Sequence, residues 1–397
     1  MMMLQRAMPV LTLAALLAPV VAGTVLQTTA HRQAYKRDAA VRAVATAGSP
    51  ASRARLAQPV TAYVINNDFD SDTVTPIRTA TSTALGAVTV GKVPWAIAIT
   101  PDGKTAYVAN LVSDTVTPID TATNTAGKAI TVGSGPDAIA ITPDGKTAYV
   151  ANVFSGTVTP IRVATGKPGK AIKVGHQPDY IAITPDGKTA YVANNFSGTV
   201  TPIRIATGKT GRRIEVGRLP DYIAITPNGK TAYVASGGTD LVTPIRTATS
   251  TALKGITVGE GTMFNIAITP DGKTAYVVVS GFHSEVVPIR TATNTVGKPI
   301  TVGREPDAIA ITPDGKTAYV LNALSGTVTP IRIATGTALK AITVGSDPVA
   351  IAITPDGKTA YILNYVSGTV TPISTATGKA GTAITVGSDP FAIAITP

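Results

Sequence analysis

The chain has 397 residues, no cysteine and only 14% charged residues, whereas Gly and Pro are plentiful and aromatic residues make up 5%. The absence of cysteine excludes disulfides, thiolate metal sites and a lipoprotein anchor. This composition favours many short strands and tight turns over amphipathic helices.

The positive charge is concentrated before residue 59. The net charge is +11, and residues 1–58 hold seven Lys/Arg against the single Asp38, which leaves 27 basic and 22 acidic residues in the rest of the chain. A surplus of five positive charges over some 340 residues is small, and the solubility of the protein explains it without a nucleic-acid or lipid partner. We therefore expect no nucleic-acid partner.

The N-terminal segment has the features of an export signal. Arg6 precedes an apolar run over residues 8–26, and the small residues at 20–22 suit a signal peptidase, which predicts cleavage near Gly23. The alternative is an uncleaved anchor, since the run is long enough to span a bilayer. Basic residues prefer the cytoplasmic side of a membrane, so those directly after the run disfavour an uncleaved anchor whose N-terminus lies in the cytoplasm. We expect a secreted or cell-surface protein with membrane contact only through residues 1–26.

Residues 27–58 are rich in Ala, Arg and Thr and have no periodicity, so they predict a flexible basic tether. From residue 62 a unit of about 42 residues repeats. Each copy holds four short β-type runs, with the forms AIAIT, TAYVAN, TVTPI and AITVG. Asp-Gly between the first two runs predicts a tight hairpin, and four-stranded units at this period predict propeller blades. We name the strands a, b, c and d from the axis to the rim.

The two ends of the repeat determine the number of blades. Seven complete sets begin at Ala96, Ala138, Tyr180, Ile223, Ile266, Ala308 and Ala350. Strands b, c and d remain at the start (residues 63–90), and a lone strand a remains at the end (392–396). Together they make an eighth blade, whose closure removes two bare sheet edges that an open solenoid would keep. The sequence predicts an all-β, eight-bladed propeller over residues 59–397, with blade 1 at Ala96.

The repeat resembles the YVTN family of β-propeller repeats. The resemblance rests on Pro-Asp-Gly-Lys before the tyrosine, on Tyr107-Val108-Ala109-Asn110, on residues 119–123 and on the Val-Gly-x-x-Pro step at 132–136. It implies a propeller related to the WD-repeat architecture, found in bacterial and archaeal surface and secreted proteins, and no single activity. One departure is a proline in every strand c, such as Pro118, which predicts a kink there.

Length differences between the copies fall in the b–c and d–a connections, on one face of the disc. Blade 5 has one inserted residue in each of these connections. Varied loops on a rigid scaffold favour a binding site, although exposed loops also drift neutrally. We expect a recognition patch in blade 5 formed by Met263, Phe264, Asn265, Phe282, His283 and Glu285.

The residues that start strand a differ around the ring. An apolar arc contains Trp95 and Phe391. An acidic arc with two tyrosines contains Asp137, Asp179, Tyr180, Asp221 and Tyr222. Such a channel mouth could hold an amphiphilic or cationic ligand. The alternative is that an Asp after Pro satisfies turn amides.

Cofactor motifs are scarce. Asp68, Asp70 and Asp72 alternate as at the start of a calcium loop, but Thr73 and Thr79 stand where an EF-hand needs Gly and Glu. Only a weak calcium site is expected, and no other cofactor. His283 beside Glu285 is a possible acid–base pair in a solvated loop.

Two functions fit this sequence. The first is an exported, monomeric, non-catalytic scaffold that binds a protein or an envelope polymer through the b–c and d–a loops. The second is a propeller enzyme of lactonase or lyase type acting at the channel mouth. We assign no catalytic residue. The near-identity of the blades favours the scaffold, because catalysis requires a few positions that break the symmetry strongly.

Overall fold

Eight antiparallel sheets follow one another along the chain. A computed structural model describes residues 59–67, 72–281 and 283–397, in which every helix or strand element is a β-strand. Each sheet has the same succession of strands, and the innermost strands of neighbouring sheets touch all the way round, the last against the first. The prediction of an all-β, eight-bladed propeller is confirmed. The predicted segments 1–26 and 27–58 lie outside the described residues.

Strand a begins at a proline in seven blades, and in blade 5, where Met263 takes the proline position, it begins one residue earlier at Thr262. Strand a thus starts two to four residues before the positions that the repeat pattern predicts. Its bounds in blades 1 to 8 are Pro94–Ile99, Pro136–Ile141, Pro178–Ile183, Pro220–Ile225, Thr262–Ile268, Pro306–Ile311, Pro348–Ile353 and Pro390–Ile395. Strand b, in the same order, covers Thr105–Asn110, Thr147–Asn152, Thr189–Asn194, Thr231–Ser236, Thr274–Ser280, Thr317–Asn322, Thr359–Asn364 and Thr61–Asn66. Strand c covers Thr115–Asp120, Thr157–Arg162, Thr199–Arg204, Leu241–Arg246, Glu285–Arg290, Thr327–Arg332, Thr369–Ser374 and Thr73–Arg78.

The fourth strand is divided into two short segments, which both pair with strand c. The first segments are Thr125–Ala126, Lys167–Pro168, Lys209–Thr210, Thr251–Ala252, Thr295–Val296, Thr337–Ala338, Lys379–Ala380 and Thr83–Ala84. The second segments are Ile130–Thr131, Ile172–Lys173, Ile214–Glu215, Ile256–Thr257, Ile300–Thr301, Ile342–Thr343, Ile384–Thr385 and Val88–Thr89.

The strand c proline explains this division. Pro118 pairs with Tyr107 of strand b with no shift of register, so strand c keeps its inner ladder. Its carbonyl accepts a hydrogen bond of 2.7 Å from Gly127 N–H, which shows that the side without an N–H faces the rim. The outer strand therefore loses its ladder opposite the proline. The sequence predicted a kink in strand c at this proline. Instead the pairing of strand c with strand b is unbroken, and the interruption falls on strand d.

Strand b is buried along its length because a neighbouring blade covers each face of the sheet. Its tyrosine reaches the c–d turn of the next blade, where Tyr63 Oη donates to Asn124 Oδ1 at 2.6 Å and Tyr233 Oη to Asn294 Oδ1 at 2.7 Å. Burial raises the pKa of Tyr63 and of Tyr233 to about 12. These phenols remain neutral hydrogen-bond donors and connect adjacent blades.

Blade 8 contains both ends of the propeller. Its strand a, Pro390–Ile395, pairs antiparallel with Thr61–Asn66, with Ala394 opposite Tyr63. Thr396 extends the contact, since its N–H donates to Thr61 O at 3.0 Å. Phe391 is 1% exposed and its ring lies 4.6 Å from that of Trp95 in blade 1. The predicted closure is confirmed. Within the described ranges, no helix is long and apolar enough to cross a membrane.

We predict that deletion of residues 388–397 strongly destabilises the propeller. The Phe391 and Ile393 side chains alone contribute about 3 to 6 kcal/mol through burial, and the deletion also leaves Thr61–Asn66 as a bare edge. Thermal unfolding of the truncated chain, compared with a control lacking only the exposed Pro397, measures the effect. Equal melting temperatures would contradict the closure argument.

Candidate functional site

The b–c and d–a connections form one face of the disc, which we call the loop face. Its described b–c residues are 67, 72, 111–114, 153–156, 195–198, 237–240, 281, 283–284, 323–326 and 365–368. Its d–a residues are 90–93, 132–135, 174–177, 216–219, 258–261, 302–305, 344–347 and 386–389. The two loops of a blade are joined through the backbone, as where Leu111 N–H donates to Val93 O at 2.9 Å. This pairing holds the face as a rigid surface.

Backbone conformation adds to this rigidity. The last residue before strand a is left-handed in most blades, including Val93 at φ 53° and Leu219 at φ 53°. A β-branched residue adopts this conformation only when its surroundings enforce it. Val93 N–H donates to Asp72 Oδ1 at 2.9 Å, and Asp72 also pairs with Lys92 Nζ at 2.5 Å. The b–c loop of blade 8 therefore holds the d–a loop that enters blade 1.

An asparagine at the end of strand b joins three parts of a blade. The buried Asn194 donates through Nδ2 to Thr199 Oγ1 at 3.2 Å and to Thr201 Oγ1 at 2.9 Å, and its Oδ1 accepts from Gly175 N–H at 2.9 Å. A Cβ on Gly175 would lie 2.5 Å from Asn194 Cγ, so this position requires glycine. The repeated Asn, Thr and Val-Gly of the sequence are parts of one hydrogen-bonded bridge.

Blades 4 and 5 lack this bridge. Ser236 takes the asparagine position in blade 4, and its buried Oγ has no hydrogen-bond partner among the described residues. In blade 5, Val279 takes the asparagine position, and Glu285 and Val287 take the two threonine positions. Valine thus replaces the amide donor and one hydroxyl acceptor, and a glutamate replaces the other acceptor. The bridge is altered in two adjacent blades.

We predict that Asn194→Ala lowers the free energy of unfolding by about 2 kcal/mol or more, because it leaves Gly175 N–H and two threonine hydroxyls without their buried partner. Ser236→Ala, at the same position of the next blade, should change it by less than about 0.5 kcal/mol, since no hydrogen bond is lost. Denaturant unfolding of both variants tests the pair. Equal losses would show that the bridge contributes nothing.

The predicted mouth residues lie within the inner wall. Trp95, Asp137, Asp179, Asp221, Tyr222 and Phe391 are all buried, and Tyr180 is half-buried. Side chains of adjacent blades touch in both arcs, since the rings of Tyr180 and Tyr222 are 5.2 Å apart. The structure thus places Trp95 beside Phe391 and Tyr180 beside Tyr222, each pair within the arc to which the sequence assigned it.

The Asp221 carboxylate is held by two neighbouring loops. Asn195 Nδ2 of blade 3 donates to Asp221 Oδ1. A Cβ on Gly237 would lie 2.5 Å from Asp221 Oδ2, so glycine leaves the space that the carboxylate uses. This aspartate therefore connects blades 3 and 4 beneath the loop face.

In blade 5 the inserted residues lengthen the strands. Strands a and b each have seven residues where the other blades have six, and the additional pair is Thr262 with Ser280. The sequence predicted longer loops, but two insertions at facing strand ends can pair with each other. Met263 and Asn265 are each 1% exposed, and Asn265 Oδ1 has no hydrogen-bond partner among the described residues.

The remaining predicted residues of blade 5 differ in exposure. Phe264 is half-buried, His283 is exposed and Glu285 begins strand c opposite Val279. Phe282 lies outside the described residues, as do Asp68 and Asp70 of the predicted calcium site. No three His, Asp or Glu of the described ranges are grouped so that they could hold a metal ion.

The sequence interpretation missed a set of exposed apolar side chains on the loop face. The first b–c residue of a blade is generally buried and the second points outward, as with Val153 and Phe154. We call the exposed set the apolar crown; its members are Val112, Phe154, Phe196, Leu219, Leu324 and Val366. Phe196 is 65% and Val366 68% exposed. The sequence does contain a signal for the crown, because an apolar residue recurs before Ser-Gly in the b–c loop. That signal does not show by itself that the side chain faces outward.

The loop face is acidic although the chain is basic. Seven acidic residues in its described loops, Asp72, Asp114, Asp240, Glu260, Glu305, Asp347 and Asp389, stand against three basic ones, Lys92, Arg218 and Arg304. Asp137, Asp179, Asp221 and Asp307 lie buried just beneath. The other 24 of the 27 basic residues after residue 58 lie in the a–b turns, at the end of strand c, or in and between the two segments of strand d.

The a–b turns, on the opposite face, are close to neutral. Each a–b turn lysine of the Asp-Gly-Lys type lies 3.3 to 3.8 Å from the aspartate two residues before it, as in Lys146 with Asp144. The hydrogen bond from Thr142 Oγ1 lowers the pKa of Asp144. Six of the seven a–b turn lysines, all except Lys230, are therefore matched by carboxylates.

Comparison with known proteins supports the propeller. A family model described as a YNCE-like beta-propeller matches residues 8–146, about a third of the chain, and it does not specify the YVTN repeat. None of the curated proteins matches the chain.

Solved structures share the fold. Hydrazine synthase of Kuenenia stuttgartiensis is 26% identical with a TM-score of 0.61, over 71% of this chain and 96% of that one. Dihydro-heme d1 dehydrogenase NirN in complex with DHE is 14% identical with a TM-score of 0.73, over 89% and 80% of the two chains. Apo AztD from Citrobacter koseri is 14% identical with a TM-score of 0.62, over 85% and 98%.

Proposed function

We propose that the protein is an exported, non-catalytic β-propeller scaffold that binds a partner protein through its loop face. The apolar crown carries this proposal. Its six exposed side chains come from six different blades and lie on loops that hydrogen bonds hold in place. Exposed apolar groups repeated over one rigid face are typical of an interaction surface.

The charges around the crown indicate the kind of partner. Seven acidic against three basic loop residues favour a partner surface that combines apolar and basic groups. An anionic polymer would be repelled from this face. The propeller would therefore present a pre-organised, weakly acidic surface with apolar contact points, which binds without a large ordering cost.

Blade 5 supports the same assignment. It adds His283 and Glu260, both exposed, to the face. Valine at two positions of the bridge, together with the longer inner hairpin, makes this blade structurally distinct from its neighbours. We therefore retain the proposal that the partner contacts blade 5 and the adjacent blades 4 and 6.

The crown can be tested with a matched pair of variants. We expect Phe154→Thr, Phe196→Thr and Leu324→Thr together to weaken capture of the partner from the cell-surface fraction at least about tenfold, because buried aromatic anchors dominate interface energies. Val296→Thr with Leu339→Thr removes exposed apolar groups from the rim instead and should not weaken it. Quantitative pull-down with both variants gives the comparison. A crown variant that captures the same protein at full strength would refute the proposal.

Export has its own test. We expect the protein to be found outside the cytoplasmic membrane with an N-terminus near Gly23, because a basic residue before an apolar run, with small residues at 20–22, matches a cleaved signal. N-terminal sequencing of protein from the extracellular and membrane fractions decides the point. An intact Met1 in the membrane fraction would favour the anchor.

A further inference from the structure

The rim of blades 2 and 3 carries a local concentration of basic residues. It contains Arg162, Lys167, Lys170, Lys173, Arg204, Lys209, Arg212 and Arg213, and Glu215 is its single acidic residue. All eight basic side chains belong to exposed residues, and none forms an ion pair within the described part of the chain. We call this set the rim patch.

The patch is continuous across two blades. The outer segment Ile172–Lys173 of blade 2 contacts the outer segment Lys209–Thr210 of blade 3. Arg213 bridges the junction, because its Nη2 donates to Val174 O at 3.0 Å. One guanidinium is thus fixed at the centre of the patch, and the other charges extend to both sides along the rim.

The other blades show that these charges are not required by the fold. At the position of Lys173, six blades carry threonine, such as Thr131 in blade 1. At the position of Arg162, blade 7 has Ser374 and blade 1 has Asp120, and at that of Arg213 blade 1 has Ala129. The same strands form with neutral residues, so the fold does not need these basic residues and their effect is on the charge of the surface.

We infer that the rim patch binds a linear polyanion with phosphate groups repeated along a flexible chain. Arginine and lysine recognise phosphate oxygens by charge-assisted hydrogen bonds. The patch lies on the convex edge of the disc and contains no exposed large apolar side chain among its residues; the exposed Val296 and Leu339 belong to the rims of blades 5 and 6. Proteins that adsorb to a lipid surface usually insert apolar groups into it, and this patch has none to insert. A phosphate polymer therefore fits the patch better than a membrane does.

This surface is separate from the loop face and goes beyond the proposed function. A disc attached to an anionic polymer by its basic rim would keep its loop face free. The scaffold could then be positioned in the envelope by one surface while it binds a protein with another.

The test uses the full propeller and long-chain inorganic polyphosphate as the probe. The rim variant combines Arg162→Ser, Lys167→Thr, Lys173→Thr, Arg204→Ser, Lys209→Thr and Arg213→Ala, all of which occur at equivalent positions of sister blades. The control variant changes the same number of a–b turn lysines to glutamine: Lys104, Lys146, Lys188, Lys273, Lys316 and Lys358. Both variants lose six positive charges, so a comparison of them distinguishes binding by a local patch from attraction by the overall net charge.

We expect the rim variant to bind polyphosphate at least about tenfold more weakly at low salt and the control to lose less than about threefold. The slope of log affinity against log salt should fall by about 4 in the rim variant, at ~0.7 ions per lost contact. Melting temperatures verify that both variants are folded. The smaller variant Lys170→Glu with Lys173→Glu is a second test, and it should also weaken the binding of polyphosphate. Failure of the wild type to bind, equal losses in both variants or an unaffected rim variant would overturn the inference. So would tighter binding to phosphatidylglycerol vesicles at matched phosphate, which would indicate a membrane surface instead.

Discussion

Each blade of this protein is a sheet with two apolar faces, and this constraint shapes the rest of the molecule. A residue such as Tyr63 is fully buried only because one blade covers each side of its sheet. A linear row of such blades would leave two sheet faces in water, whereas a ring leaves none. The strand Pro390–Ile395 completes the ring by pairing with Thr61–Asn66. Closure therefore stabilises every blade, including those far from the chain ends.

The ring leaves the loops free to vary while the hydrogen bonds behind them keep the loop face rigid. The bridge through Asn194 joins strand b, strand c and the preceding d–a loop. Its bonds to strand c recur wherever asparagine ends strand b, and its bond to the d–a loop recurs in blades 1, 7 and 8. Blades 4 and 5 replace its polar members, and blade 5 lengthens its inner hairpin by one residue pair. These changes occur beside the buried Asp221 and Asn265. The symmetry of the disc is thus broken locally, without loss of the β-ladders.

Charge separates the surfaces of the disc. Acidic residues gather at the loop face, the a–b turns pair lysine with aspartate, and unpaired arginine and lysine collect on the rim, most densely in blades 2 and 3. Because exposed charges act over roughly 8 to 10 Å at ordinary ionic strength, the charges of one surface contribute little to binding at the other, as the two proposals require. We have proposed a protein with basic and apolar groups as the partner of the apolar crown, and a flexible polyanion as the ligand of the rim patch. A rigid disc with two such surfaces is suited to hold two components of an assembly in a fixed relation.

The sequence alone determined the strand order, the number of blades and the closure, because period, hairpin signals and the incomplete ends are local or countable features. It also located the loop face, since length changes occur only there. The tertiary structure decided what faces water. Met263, Trp95 and Phe391 are buried and Phe196 is exposed, although all four are apolar residues near the same face. Likewise, the insertions of blade 5 pair with each other as Thr262 and Ser280. The physical reason is that exposure and pairing depend on contacts between segments distant in sequence, which the pattern of a single repeat does not contain.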